Sequence, residues 1–556
     1  RFLDERVAQA PNERGIVCPE GEFTWREIDE HVNRTARAFQ HQGVGPGDVV
    51  TLLMDSRPQY LFAATALSRL RAVTALINTN ISGGPLAHAI RVAESSRILV
   101  GSEHVERLAE VMPEIGELSE KDVWEQLDPE GPSAPRYEAF DGLVGCEEAT
   151  PPSVEGVARS EDRMVYIYTS GTTGLPKAAI ITNQRFIAAG SGLGRAIYNL
   201  RRGDTAYVPL PLYHSVGFLG GWASALICGS ALAFRRKFSA SRFWDDVLEF
   251  DATVFIYIGE LCRYLLNQPE HPEERNHRLR LASGNGLRPD IWERFQERFG
   301  IPLIREYYGA TEGPSALVNM NGRPGMVGRL LFGSVLVRCD LETGELERGA
   351  DGRCKEIGPG ETGLLLTRIG GTSRYDGYLD AEATTKKIVE NALKDGDRFF
   401  NTADLLTLHE DGWISFADRA GDTFRWKGEN VSTNEVAEVL NGAPGVLESN
   451  VYGVEVPGTD GRAGMASLHI DERFSIEALA DFVREHLPGY QRPYFVRLQR
   501  DMRITGTFKH QKVEYRREGY DPSRVPDPLY LLDRDRYVPL DAETHQGIQT
   551  GRITLR

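Results

Sequence analysis

The residues able to do chemistry gather in a few short strings. At 168–177 the chain reads YTSGTTGLPK. Thr169, Ser170, Thr172 and Thr173 supply hydroxyls, Gly171 and Gly174 let the backbone turn and approach an anion closely, and Lys177 adds a point charge. A loop of this kind, leaving an apolar strand, suits the phosphates of a nucleotide. Its spacing is not GxxxxGK[ST], so a Walker-type site is disfavoured. Taken alone, the cluster serves equally well as a polar surface loop. Two other strings are just as open by themselves. His214 in PLYHSVG (211–217) reads as a structural histidine, and Glu312 in YYGATEG (307–313) as a solvated carboxylate. The basic run FKHQKVEYRR (508–517) reads as a solvated face.

The elements that must carry these strings follow from periodicity. FTWREIDEHVNRTARAFQHQGV (23–44) has helical spacing and ends in a Gly-Pro-Gly turn at 45–47. DVVTLLM (48–54) then reads as a buried strand, PQYLFAATALSRLRA (58–72) as a helix and TALINTN (74–80) as a strand. This alternation predicts parallel sheets with helices on their faces. Residues 126–160, rich in Pro, Glu and Gly, read as a long loop, and MVYIYT (164–169) as a strand buried on both faces. A strand-rich section spans 327–417. The tail alternates again: helix 433–443, strands 446–456 and 464–470, helix 475–487. The sequence reading therefore divides the chain into a body, 1–417, and a smaller α+β domain, 418–556.

Composition narrows the function classes. The 556 residues carry 64 Lys and Arg against 80 Asp and Glu, a formal charge of −16, so no basic surface invites nucleic acid. With 41% hydrophobic and 26% charged residues the chain is of the ordinary globular kind. Six scattered cysteines, without a CxxC pair or metal-like spacing, read as reduced cytosolic thiols. The longest apolar run, 218–234, falls short of the roughly 20 residues of a spanning helix and reads as a buried helix leading into a buried strand. A cytoplasmic location is expected; peripheral membrane contact and a homodimer are both compatible with it.

YTSGTTGLPK resembles the signature loop of the adenylate-forming acyl-CoA synthetase superfamily. Companion strings occur in that superfamily's order: PLYHSVG, GNGLRP (284–289), YYGATEG, NTADLL (401–406) and DRAGDTFRWKGENVSTNEV (418–436). RWKGENVST, GNGLRPDIW, TGTFKHQK (505–512) and YVPLDAET (537–544) are similar to the fatty-acid transport protein (very-long-chain acyl-CoA synthetase) branch. The resemblance spans essentially the whole chain. It implies an α/β fold, with a large N-terminal adenylation domain of parallel sheets and a β-rich subdomain, and a small mobile α+β C-terminal domain. The implied reaction joins a small-molecule carboxylic acid, here a long or very-long-chain fatty acid, to CoA through an acyl-adenylate, with ATP and Mg²⁺. Rival readings keep the fold but adenylate a non-fatty acid without CoA, or make the chain a membrane-associated uptake component.

The resemblance also implies roles. Thr169, Ser170, Gly171, Thr172, Thr173 and Gly174 hold phosphates, with Lys177 beside them. Tyr308 stacks on adenine, Thr311 touches the α-phosphate and Glu312 holds Mg²⁺. Asn285, Gly286 and Leu287 wall the adenine, Asp404 and Arg419 take the ribose, and His214 lines the path from phosphate to acyl site. Lys509 is the adenylation lysine, with Lys512 as its rival. Hinge motion falls at 418–422, where Gly421 can absorb a large dihedral change. Two departures stand out: Ala403 where the family usually has Gly, and Asn430 where many relatives outside this branch have an Arg, for which Arg425 or Lys427 are the substitutes at hand.

Overall fold

The computed structural model describes every residue except 132–133, 171–174, 315, 332, 372, 460, 501, 503–511 and 556, and only the backbone of Ser170 and Ala316. By internal packing the chain forms two units. Arg1–Leu287, Arg294–Gly322 and Gly371–Lys387 make the first; Arg288–Glu293, Arg323–Gly370 and Ile388–Arg556 make the second. The strand-rich section expected at the end of the body thus packs largely with the tail.

Two sheets build the first unit. In the seven-stranded sheet the spatial order is Glu138–Ala139, Val123–Gln126, Arg97–Gly101, Val49–Leu53, Val73–Leu76, Arg163–Ser170 and Pro176–Thr182. All neighbours are parallel except the last pair. The eight-stranded sheet runs Ala316–Asn319, Ile304–Gly309, Leu281–Asn285, Val254–Ile258, Thr205–Tyr207, Ala231–Ala233, Arg14–Cys18 and Gly21–Thr24, parallel inside and antiparallel at both edges. Thr205–Tyr207 lies between the next two strands in sequence, Ala231–Ala233 and Val254–Ile258. The order reverses there, and ligands of parallel sheets collect beyond strand ends at such a point. The residues that follow Thr205–Tyr207 lead into the PLYHSVG string.

Local rules account for these elements. Helix Trp25–His41 opens with a capping box, in which Thr24 and Glu27 satisfy each other's backbone N–H groups, and it buries Trp25, Ile28, Val32 and Phe39 along one side. The strand and helix expected at 48–72 form as read, and the strand expected at 74–80 is shorter, Val73–Leu76. The apolar run is a helical segment, Val216–Ala223 with π-type turns and then Ser224–Cys228, followed by strand Ala231–Ala233. No helix among the described residues is long and apolar enough to cross a membrane. All six cysteines are free thiols.

One reading needs correction. Residues 126–160 are not wholly a loop, since strand Glu138–Ala139 and helix Phe140–Gly145 lie inside them. The cause is tertiary. Phe140 packs its ring 4.6 Å from that of Phe39 and 5.6 Å from that of Trp124, partners that local periodicity does not reveal.

The second unit holds an antiparallel five-stranded sheet built on Arg398–Leu408. A two-stranded ribbon and a second five-stranded sheet, Val446–Glu455 to Arg536–Pro539, complete its strands. Helices Thr433–Asn441 and Ile476–His486 appear where the tail's periodicity put them.

Candidate active site

The phosphate string leaves its strand as expected. Arg163–Ser170 and Pro176–Thr182 form an antiparallel hairpin in which Thr169 faces Lys177 and Ser170 faces Pro176. Thr169 and Lys177 are half-buried. Gly171, Thr172, Thr173 and Gly174 at the tip lie outside the described residues. The Lys177 ammonium sits 5.9 Å from the centre of the Tyr378 ring.

Beside that hairpin the chain anchors YYGATEG from several sides. Strand Ile304–Gly309 alternates: Tyr307 is buried with its hydroxyl 3.0 Å from that of Tyr198, while Tyr308, on the opposite face, is half-exposed. The turn that follows is held by Arg185, whose guanidinium donates to the carbonyls of Ala310 (2.9 Å), Glu312 (3.1 Å) and Gly313 (2.6 Å). Thr311 and Ser215 hydroxyls lie 2.9 Å apart, which ties this turn to PLYHSVG. The half-buried His214 accepts the Val216 N–H on Nδ1 at 3.3 Å, so the neutral ring carries its proton on Nε2. PLYHSVG is in turn held to the seven-stranded sheet: the Leu212 N–H donates to Ser56 Oγ (3.0 Å) and Asn80 donates to the Tyr213 hydroxyl (2.7 Å). Glu312 is 9% exposed, and one of its carboxylate oxygens accepts from the Tyr378 hydroxyl at 2.8 Å.

The proposed adenine wall rests on a buried acid. Gly286 turns with φ +81°, and a Cβ on Gly259 would fall 1.7 Å from the Gly286 carbonyl oxygen, so the start of helix Gly259–Leu266 touches this turn backbone to backbone. Under this contact lies Glu306, 3% exposed, which accepts from the N–H groups of Gly286 (2.8 Å) and Leu287 (3.1 Å) and from the Tyr257 hydroxyl (2.6 Å). Burial pushes its carboxyl up to about 8, against the pull of these three donors. Asn285, half-buried, ends the strand before the turn. Glu306 and Tyr308 share one face of their strand, so the acid beneath and the aromatic beside the turn come from one element.

In the second unit Asp404 and Arg419 are register partners on adjacent strands, with Arg419 Nε 3.7 Å from Asp404 Oδ1. Ala403 takes φ +64°, the left-handed conformation that glycine adopts freely and alanine does not. The departure from the family's glycine is therefore a backbone matter more than one of packing. Asp418, 2% exposed, accepts the Thr433 N–H at 2.7 Å and fixes the start of helix Thr433–Asn441. Gly421 has φ +88°. RWKGEN is a two-residue hairpin turning at Lys427 (φ +52°) and Gly428 (φ +87°), with Arg425 paired to Asn430. Lys427 donates to the Tyr494 hydroxyl at 3.0 Å, whereas Arg425 is exposed. Lys509 lies outside the described residues. Its rival Lys512 donates to Thr433 Oγ1 at 2.6 Å and stands 3.7 Å from Asp422.

The first unit thus gathers Thr169, Lys177, His214, Thr311 and Glu312 through direct contacts or one shared neighbour, with Tyr308 and Gly286 on the adjoining strand ends. The second pairs Asp404 with Arg419. Sequence reasoning missed Arg185, Ser215, Glu306 and Tyr378. Glu306 alone had a local signal, an acid between apolar and aromatic residues in IREYYG, where an unsatisfied carboxylate would be costly if buried.

The profile of the AMP-binding enzyme family matches residues 3–379, and that of the AMP-binding enzyme C-terminal domain matches 435–509. Long-chain fatty acid transport protein 1 of Mus musculus is 40% identical over 568 residues, covering 100% of this chain and 87% of the relative. A medium/long-chain-fatty-acid–CoA ligase of Mycobacterium tuberculosis is 40% identical over 554 residues, covering 99% and 91%. Among solved structures, an anthranilate CoA ligase in complex with anthranoyl-AMP superposes with a TM-score of 0.79 at 21% identity, covering 93% of this chain and 96% of that one. ATP-bound MatB from Rhodopseudomonas palustris gives 0.78 at 22%, covering 93% and 98%. At such identities the structures speak for the fold, which is the α/β architecture of adenylate-forming enzymes with a large N-terminal and a small C-terminal part. The family match over most of the chain and the full-length relatives carry the assignment: the chain belongs to the AMP-binding enzyme family, in its fatty-acid transport protein branch.

Proposed function

We propose that this chain is an ATP-dependent long- or very-long-chain fatty acid–CoA ligase that works through an acyl-adenylate. The carboxylate attacks the α-phosphorus of ATP and pyrophosphate leaves. The CoA thiol then attacks the acyl carbon and AMP leaves. The observation that supports this best is the meeting of the phosphate hairpin, Thr311 and Glu312 at strand ends of one unit, with Gly286 and Tyr308 beside them. The names of the full-length relatives support the fatty-acid substrate.

Each group has a task the chemistry requires. Two anions must be brought together, so Lys177 and the N–H and O–H groups of the hairpin offset charge on the phosphates. Thr311, held by Ser215, donates toward the α-phosphate. Asp404 suits a ribose because a carboxylate can accept from both hydroxyls of a cis-diol. Glu312 and the neighbouring threonine hydroxyls are hard oxygen donors, the set Mg²⁺ prefers, so Glu312 would hold that ion. When bound, Mg²⁺ would screen the phosphate oxygens. We assign the functional domain boundary to 417/418 and the adenylation lysine to Lys509. Lys512 is already engaged by Thr433 and Asp422, which suits a structural lysine better than one that must enter and leave a site.

The test is pyrophosphate release across a panel of acids, with and without CoA, thioester being followed in parallel. Release with medium to very-long fatty acids and thioester only with CoA is the expected result. Release with another acid class, or without thioester, overturns the fatty-acid assignment.

A further inference from the structure

Segment 375–379 reaches the site from almost two hundred residues beyond the phosphate loop. It pairs with the strand leaving that loop: the Ile180 N–H donates to the Gly377 carbonyl (2.9 Å) and the Leu379 N–H to that of Ala178 (3.0 Å). Gly377 has φ +75°, and a Cβ there would lie 2.5 Å from Thr384 Cγ2, so the chain turns here in a way that other residues would block. Thr384 Oγ1 accepts the Tyr378 N–H at 2.9 Å. The backbone of Tyr378 is therefore fixed on two sides, and its side chain is 7% exposed.

That side chain meets three groups of the site. Its hydroxyl donates to Glu312 at 2.8 Å, Thr169 lies near the same oxygen, and Lys177 stands over the ring. A phenol keeps its proton at neutral pH, so this hydroxyl is a donor. A charge-assisted bond of this kind orients the carboxylate and leaves its other oxygen for a cation.

We propose that Tyr378 is a positioning residue for metal binding: it fixes the Glu312 carboxylate beside the phosphate hairpin. This inference rests on the ligase reading above and adds a residue to its metal site. Tyr378→Phe keeps the ring under Lys177 and removes only the donor. Its half-saturating Mg²⁺ for pyrophosphate release should rise roughly five- to tenfold, the effect of one lost charge-assisted bond, with most of kcat recovered at high Mg²⁺. Mn²⁺ binding in the presence of ATP, read by electron paramagnetic resonance, should weaken by a similar factor, while ATP alone binds unchanged. In a Glu312→Gln background the same substitution should have no further effect on metal dependence, because Tyr378 acts through Glu312.

Unchanged Mg²⁺ and Mn²⁺ dependence in Tyr378→Phe, or an equal weakening in the Glu312→Gln background, would overturn the proposal. If the unaltered chain released no pyrophosphate with any acid, the ligase reading would fail, and the Mn²⁺ measurement would still decide the role of Tyr378.

Discussion

Glu306→Gln tests whether a buried acid supports the adenine turn. The side chain accepts three hydrogen bonds in a fully enclosed place, and burial holds its pKa at about 8. In the unfolded chain it titrates at its ordinary 4.5. Below 4.5 both states are protonated and the group has no pH-dependent effect. Between 4.5 and 8 the folded chain holds a proton that the unfolded chain has released, so stability falls as pH rises, by up to about 1.4 kcal/mol per pH unit. Above 8 the loss is complete. Gln keeps the shape and does not titrate, so the difference between the two proteins isolates this slope. For a unit of roughly 330 residues the unfolding entropy turns that slope into about 2 °C per pH unit. Scanning calorimetry of both proteins from pH 5.5 to 7.5 should therefore show the unaltered chain losing about 4 °C relative to the Gln variant. A midpoint difference that stays constant over this range would refute the reasoning.

Further predictions concern the turn, the ribose loop and the two lysines. Arg185→Met strips three carbonyls of their donor; we expect a loss of about 3 kcal/mol in urea unfolding and more than about tenfold in kcat/KM for ATP. Ala403→Gly relieves a left-handed alanine, so stability should rise by up to about 1 kcal/mol with KM for ATP unchanged, as thermal unfolding and initial rates will show. Lys509→Ala should slow pyrophosphate release at least about a hundredfold and spare thioester formation from supplied acyl-AMP. Lys512→Ala should retain adenylation and cost about 1 kcal/mol of stability through its lost bond to Thr433.

What could be read in the sequence was what periodicity and contiguous motifs encode. The strand before YTSGTTGLPK, helix Trp25–His41 and each helix of the tail write their signal within twenty residues, and each forms where read. The supports of the site are another matter. Arg185 lies 127 residues from Glu312, and Tyr378 lies 66 residues beyond it, and no local pattern joins them. Ser215 and Thr311 meet because parallel strands end together, which is a property of topology. Helix Phe140–Gly145 exists because Phe39 and Trp124 receive its first ring. Ala403 shows the reverse case: the substitution was visible, but its meaning lies in a backbone dihedral that sequence alone does not display.

The central claim is the acyl-adenylate, and it can be observed directly. Protein incubated with a long-chain fatty acid, ATP and Mg²⁺, without CoA, is to be quenched and its small molecules measured by mass spectrometry. Acyl-AMP in amounts near the enzyme concentration, consumed when CoA is added with matching acyl-CoA and AMP, is the predicted result. Acyl-CoA formed with release of ADP and phosphate, and no acyl-AMP at any time, would contradict it.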